Sequence, residues 1–470
     1  MSKDRPNIIL ILVDDLGWKD LGCYGSQFYE TPNIDQLSRD GLRFTDAYAA
    51  CPVCSPTRAS ILTGKYPASV GVTDWIDWGG KLHPCQGKLI DAPYVDHLPL
   101  SEISLPRALK KGGYRTWHVG KWHLGGDAYY PEKHGFDVNI GGCHIGALGK
   151  NGYFSPYNIP TLADGPPGEY LTDRLTDEAI ALMESSGDDP FFLNLWHYCV
   201  HTPIMAKPAL IEKYARKKID MKLDQVQTFA EGEYFPTEHK KHLRLQRRLV
   251  QSDPVYAAMI ASLDESVGRI LRALERLGKA RNTLVIFTSD NGGLATSEGS
   301  PTCNSPLSEG KGWMYEGGVR EPLLIRWPEV IKPGRLCSQY VTSPDFYPTL
   351  LEAASLDLLP EQHQDGCSLM PLLRGDDLLE RGAIFWHYPH YGNQGGTPGV
   401  SMRLGDYKLI EFYEDGRLEL YNLRDDLEEE HNLAGELPEI VGEMHPMMRA
   451  WQHRAGAKMP LARDPAVFCF

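Results

Sequence analysis

The sequence predicts an α/β sandwich with one large mixed sheet, followed by a smaller C-terminal α+β subdomain built on an antiparallel sheet. Three observations predict it. Uninterrupted apolar runs of strand length alternate with amphipathic helical stretches through the first two-thirds of the chain, the pattern of strands buried on both faces and joined through helices. Polar residues able to do chemistry follow directly after several of those runs. Beyond about residue 375 the pattern changes to short strands separated by turns, which reads as hairpins. The expected division is therefore 1–375 and 376–470.

Residues 6–13 read as a buried strand, because their apolar residues run without alternation up to Asp14-Asp15. Thr31-Pro32 opens a short helix, with Thr31 as N-cap and Pro32 at the first helical position. A second helix begins at about Ser55, and a third over 104–111 stops at Gly112-Gly113. Residues 114–119 and 190–196 are strands. Residues 254–277 form a long helix, with Val255, Met259, Leu263, Val267, Ile270 and Leu274 on one face. Strands follow at 282–288 and 322–327. In the subdomain, 383–386, 407–410 and 418–421 are short strands, and a helix over about 438–453 closes the fold.

The 470 residues are 42% hydrophobic and 23% charged, an ordinary globular balance, and the 46 glycines and 34 prolines predict many turns and long loops. A net charge of −14 and a pI near 5.6 argue against nucleic acid and anionic membrane as partners. An anionic small substrate stays open, because a local cluster of cations decides that. No run is long and apolar enough to span a bilayer. The polar start and the strand ending at Asp14-Asp15 do not read as a signal peptide. The sequence as it stands is expected to be cytoplasmic, or periplasmic or secreted if a leader has been removed. Ten irregularly spaced cysteines form no disulfide framework.

Five groups of residues carry chemistry. Cys54-Ser55-Pro56-Thr57-Arg58 fits C-x-P-x-R. Pro56 favours a first helical turn, which puts position 54 at a positive helix end with Arg58 on the same face. Cys51-x-x-Cys54 could also be a redox or zinc half-site, although no second pair has matching spacing. Asp14-Asp15 and Asp290-Asn291 each close a strand; three carboxylates and an amide oxygen suit Ca²⁺ or Mg²⁺ and not zinc. Taken alone, Asp290-Asn291-Gly292-Gly293 would be a turn. Lys121 and His123 stand two apart after a strand and, in extended chain, point the same way. His197 and His201 follow the 190–196 strand; His197 is either a substrate contact or a core histidine. Lys311 lies in the Gly-rich stretch before the 322–327 strand.

In this order along the chain, the motifs resemble those of the type I, formylglycine-dependent sulfatases of the alkaline-phosphatase-like superfamily, and bacterial carbohydrate sulfatases in particular. The resemblance implies that a maturing enzyme oxidises Cys54 to formylglycine. One hydroxyl of the aldehyde hydrate attacks sulfur and the second collapses to eject sulfate. It implies that Asp14, Asp15, Asp290, Asn291 and residue 54 bind one Ca²⁺, with Mg²⁺ the lesser alternative. Arg58 would hold the hydrate, Lys121 and Lys311 the sulfate. His123 would take a proton from residue 54, and His201 would give one to the departing alcohol. Glu316 and Arg320 would tie their loop to the next strand.

The substrate reading is a sulfated small molecule or glycan, with an exo-acting enzyme on a galactose or N-acetylgalactosamine-type unit. Trp75 and His390 are the preferred sugar contacts. Trp78, His144, Tyr153, His387 and Tyr391 are further aromatic and histidine positions that could line a sugar site or simply pack. The alternatives are a phosphonate monoester or phosphodiester hydrolase of the same superfamily, and a non-catalytic binder of sulfated glycans in which Cys54 stays a thiol.

Overall fold

The computed structural model describes residues 5–77 and 87–463; Trp78 lies outside them. The strands of the large sheet are β1 (Asn7–Val13), β2 (Leu42–Tyr48), β3 (Arg115–Gly120), β4 (Val138–Ile140), β5 (Phe191–Trp196), β6 (Thr283–Ser289), β7 (Arg320–Arg326), β8 (Arg335–Cys337) and β9 (Val341–Thr342). Their order is β8-β2-β7-β6-β1-β5-β3-β4, with β9 also paired to β2. The pairs β6-β1, β1-β5, β5-β3 and β3-β4 are parallel, whereas β7 runs antiparallel to both β2 and β6. The sheet is thus mixed, as expected.

Strand β1 shows why its run is continuously apolar. Ile9, Ile11 and Val13 point into one core and Ile8, Leu10 and Leu12 into the other, all completely buried. The first core is covered by α1 (Pro32–Arg39), while α2 (Cys54–Thr63) and α3 (Leu105–Lys111) cover the second. Helices α4 (Leu171–Glu184) and α6 (Pro254–Arg276) complete the first face, with Tyr214 of α5 (Pro208–Asp220) packed against them. Helix α7 (Phe346–Ala353) completes the second. The Asp253 side chain caps α6 by accepting from the amides of Val255 and Tyr256. Thr31 does not cap α1 as expected: its hydroxyl instead accepts from Gly22 N and donates to the Asp35 carboxylate.

The subdomain sheet is antiparallel, β10 (Ile384–Tyr388), β11 (Gly399–Leu404), β12 (Tyr407–Phe412) and β13 (Leu418–Asn422) in that order, with α8 (Pro438–Arg454) laid across it. Strand β11 was not read from the sequence, nor was the separate hairpin Phe229–Tyr234 with Arg244–Arg248. Among the described residues no helix is long and apolar enough to cross a membrane.

Candidate active site

Four neighbouring parallel strands, β6, β1, β5 and β3, end side by side. The residues after them are Asp290-Asn291, Asp14-Asp15, His197 and Lys121. Ligands of open α/β sheets bind beyond these carboxyl ends, and α2 points its first residue, Cys54, at the same place. Val53 before it is extended and offers no side-chain cap, and Gly64 ends the helix at φ +69°. The uncapped amides leave the α2 N-terminus partially positive beside Cys54.

Every charge in this cluster is buried and paired. Arg58 donates through Nε to Asp290 Oδ2 at 2.9 Å and through Nη1 to the Lys121 carbonyl at 3.1 Å, while its Nη2 lies 2.6 Å from Asp290 Oδ2. Its guanidinium carbon also sits 5.1 Å from the Trp196 ring centroid. Lys121 Nζ donates to Asp14 Oδ2 at 2.5 Å, and Lys311 Nζ to Asp15 Oδ2 at 2.8 Å. Asn291 Nδ2 donates to Asp15 Oδ1 at 2.8 Å. Three cations therefore face three carboxylates, all at most 5% exposed.

Desolvation and mutual repulsion leave the carboxylates unequal. Burial, then the neighbouring Asp14, pushes Asp290 up to about 6. Asp14 is also raised by burial, against the pull of Lys121. Burial would raise Asp15 as well, but Lys311, His201 and Lys121 together hold it below the usual carboxylate range. Asp14 Oδ1 and Asn291 Oδ1 are buried without a hydrogen-bond partner, and leaving such an oxygen unsatisfied costs about 1–3 kcal/mol. An all-oxygen donor set with two orphaned atoms and two destabilised carboxylates fits a hard divalent cation. Ligand atoms of Asp14, Asp15 and His201 also lie within 4.8 Å of one another.

His123 meets Cys54 directly, with 3.3 Å between Nδ1 and Sγ. Its Nε2 lies 2.7 Å from the Ile76 carbonyl. A carbonyl only accepts, so Nε2 carries the proton and Nδ1 turns its lone pair to position 54. Burial and then Lys121 hold this imidazole well below its ordinary pKa. The expected extended geometry does not hold. His123 is left-handed at φ +57°, and it is the bond from Ser55 Oγ to the His123 carbonyl at 2.9 Å that ties the loop to α2.

His201 Nδ1 is 2.7 Å from the Thr202 carbonyl, and Nε2 is 3.6 Å from Asp15 Oδ2. Burial, then Lys311, lowers its pKa to about 4. The neutral form of the ring is therefore favoured at pH 7 until an anion enters.

A cavity of about 450 Å³ opens over Cys54, lined by Trp75, His123, His144, His201 and Lys311 among others. Trp75, one of the two preferred sugar contacts, is part of this lining. His390 is not: it is fully buried behind the Trp75 segment, with Nε2 2.9 Å from Thr73 Oγ1. His197 packs under the sheet end, with Nε2 3.2 Å from Ser266 Oγ of α6, and is a core histidine. Tyr153, His387 and Tyr391 also point elsewhere, to Tyr198 O, Tyr413 Oη and Glu414. The sequence reading missed Asp77, Glu298, Asn393 and Gln394, which also line the cavity. They stand in loops, where no periodicity marks which side chain turns inward.

The chain matches the family described as Sulfatase over residues 6–356, and that described as N-sulphoglucosamine sulphohydrolase, C-terminal, over 309–454. It is 34% identical to a sulfatase of Formosa agariphila, covering 96% of this chain and 89% of that protein. It is 32% identical to the human N-acetylgalactosamine-6-sulfatase, covering 86% and 71%. The crystal structure of Ps i-CgsB in complex with k-i-k-neocarrahexaose superposes with a TM-score of 0.76 at 26% identity, over 95% of this chain and 93% of that one. Fold, buried acidic cluster and sequence agree: the chain belongs to the sulfatase family of the alkaline-phosphatase-like superfamily, and is an enzyme that hydrolyses sulfate esters.

Proposed function

We propose that the nucleophile arises by oxidation of Cys54 to formylglycine, that Ca²⁺ is the resident metal, and that the substrate is a sulfated sugar unit of the galactose or N-acetylgalactosamine type, attacked in exo fashion. The observation that carries the reading is the approach of His123 Nδ1 to Cys54 Sγ at the N-terminus of α2, inside a ring of buried cations. A maturing enzyme must act on the chain before it folds, because Cys54 is 3% exposed afterwards.

Asp14, Asp15, Asp290 and Asn291, with residue 54, would hold the metal. Bound there, it supplies a Lewis acid that polarises sulfate oxygens and favours the ionised nucleophile. The aldehyde hydrate supplies one hydroxyl for attack and a second for release of sulfate. The remaining work falls to the chain. Lys311, on the cavity wall, and Lys121, behind it, place positive charge where the sulfate oxygens gain negative charge, preorganised by their carboxylate partners. Arg58 is pinned between Asp290 and the Lys121 carbonyl, so it orients the helix end and the loop together. His123, neutral with its lone pair toward position 54, accepts the proton of that group. His201 lines the cavity and hands a proton to the leaving alcohol once the bound anion has raised its proton affinity.

The carbohydrate assignment is supported by the Trp75 face and the amides of Asn393 and Gln394 in the lining. It is also supported by similarity to a protein named N-acetylgalactosamine-6-sulfatase and to one crystallised with a neocarrahexaose. The catalytic unit is taken as 1–375 and the subdomain as 376–470, the latter lending the loop of Asn393 and Gln394 to the cavity. The test is turnover of aryl sulfate, aryl phosphate, a phosphonate monoester and a set of sulfated sugars by the matured enzyme. Dominant sulfate release, from the terminal sugar of an oligosaccharide, is expected. Dominant phosphodiester or phosphonate cleavage, or binding without any sulfate release, would overturn it.

A further inference from the structure

Of Asp14, Asp15, Asp290 and Asn291, Asp15 alone has a left-handed backbone, at φ +62°. A residue with a Cβ holds that conformation where its surroundings impose it, and here three contacts do. The Asp15 amide points to Asp290 Oδ1 at 3.3 Å, and the next amide, that of Leu16, donates to Ser289 Oγ at 3.0 Å. The Asp15 carbonyl faces the hydroxyl of Tyr256, on α6, at 3.3 Å. The side chain so aimed accepts from Asn291 and from Lys311. Its placement therefore sets both the acidic cluster and the cation on the cavity floor.

Behind this turn lies a fourth carboxylate, Asp20, which is fully buried. Its Oδ2 accepts from the Gly17 amide at 2.9 Å and from Tyr256 Oη at 2.7 Å. Its Oδ1 accepts from Thr302 Oγ1 at 2.6 Å and from Gln251 Nε2 at 3.0 Å. Four donors fill the four lone-pair positions of a carboxylate, so neither oxygen is left to ligate a cation. The bond from Tyr256 fixes the hydroxyl that the Asp15 carbonyl meets, and the bond from Gly17 closes the turn after it. No larger residue fits at position 17, where a Cβ would come 2.4 Å from Asn304 Oδ1 and 3.0 Å from Asp20 Oδ2. Burial raises the Asp20 pKa to about 6, so the group is ionised at neutral pH. A buried charge weighs against folding, and a neutral side chain would fill the space at less cost. An amide, however, cannot replace it. Each oxygen faces one N–H that only donates, Gly17 N or Gln251 Nε2, so one of the two would meet the amide NH₂ in either orientation.

Resting on the metal reading given above, we propose that Asp20 is a positioning residue for the cation site. Through Tyr256 and the Gly17 amide it holds Asp15 in the left-handed conformation, and so sets the affinity for the divalent cation while touching neither metal nor substrate. Partners of this kind, one bond behind a ligand, typically change metal affinity by about 10–100-fold when removed.

The test is the Kd for Ca²⁺, by calorimetry and by the Ca²⁺ dependence of the thermal midpoint, in wild type, Asp20→Asn and Tyr256→Phe. Tyr256→Phe loses only the hydroxyl and keeps the ring that packs on Tyr29 at 5.5 Å between centroids, so it tests the idea even if Asp20→Asn folds poorly. Both variants are expected to bind Ca²⁺ about tenfold or more weakly, and saturating Ca²⁺ should restore most of kcat in Tyr256→Phe. The double variant should lose less affinity than the two single losses combined, because both act through one bond. A lower metal-free midpoint with an unchanged Kd would overturn the proposal, since that is what a merely structural role gives. If neither Ca²⁺ nor Mg²⁺ moves the wild-type midpoint, the metal reading itself has failed. Hydrogen exchange of the peptide spanning 14–21 in the metal-free proteins then decides the positioning: faster exchange in both variants upholds it, and unchanged exchange overturns it.

Discussion

Lys408 Nζ of β12 lies 2.9 Å from Glu316 Oε1, joining the subdomain sheet to the loop that carries Lys311. The same ammonium is 2.9 Å from Glu429 Oε1, and all three side chains are fully buried. Glu316 Oε2 in turn accepts from Tyr48 Oη at 2.8 Å and Arg320 Nη1 at 3.1 Å. Its backbone amide donates to Glu429 at 2.7 Å. The two parts of the chain thus share one buried ionic network.

Lys408→Met should strand two buried carboxylates. Removing one partner of a buried pair costs about 3–5 kcal/mol, so the urea midpoint should fall sharply, and sulfate affinity with it as the Lys311 loop loosens. An unchanged midpoint would show that the network does not join the two parts.

The network also predicts a pH dependence. Burial pushes Glu429 up to about 7 against the pull of Lys408, from an ordinary 4.5. Between those values the folded state keeps a proton that the unfolded state releases, so this group's contribution to stability falls as pH rises. Burial would raise Glu316 too, but Lys408, Arg320 and Arg403 bring it down to about 2. Its contribution is present above 4.5 and is lost as pH falls toward 2. Denaturation at a series of pH values should show Glu429→Gln losing less stability than the wild type between pH 4.5 and 7. Identical slopes would contradict the assignment.

Chelation should abolish activity and lower the thermal midpoint, because it returns Asp14 and Asp290 to mutual repulsion. Ca²⁺ at a hundred times its Kd should restore about 2.7 kcal/mol of stability. Asn291→Ala should need more Ca²⁺ for the same midpoint. A midpoint indifferent to Ca²⁺ would argue that the orphaned oxygens hold no cation.

His201→Ala should slow alkyl sulfates far more than aryl sulfates, whose leaving groups need little protonation; general acid catalysis typically contributes about 10²–10⁴-fold. Parallel rate measurements on the two classes decide it, and equal losses would remove His201 from the acid role.

Much of the core of this site was legible because it sits where strands stop. Asp14-Asp15 and Asp290-Asn291 follow runs apolar on both faces, and strand pairing sets them side by side. Cys54 was placed by Pro56 and the helix it begins. The cavity wall was not legible. Glu298, Asn393 and Gln394 stand in loops braced by Lys240 and Trp313, contacts that span 81 to 153 residues of chain and leave no local pattern. His197 and His390 failed as substrate contacts for a related reason. A histidine after a strand or beside an aromatic run looks the same whether it faces a cavity or, as here, Ser266 or Thr73.

The central claim is that residue 54 is converted before the chain folds around it. The direct measurement is the mass of the peptide containing position 54, from protein co-expressed with a formylglycine-generating enzyme. The account predicts the mass of the aldehyde or its hydrate, with sulfatase activity rising in proportion to it. An unmodified Cys54 thiol in protein that still turns over sulfate esters would contradict it.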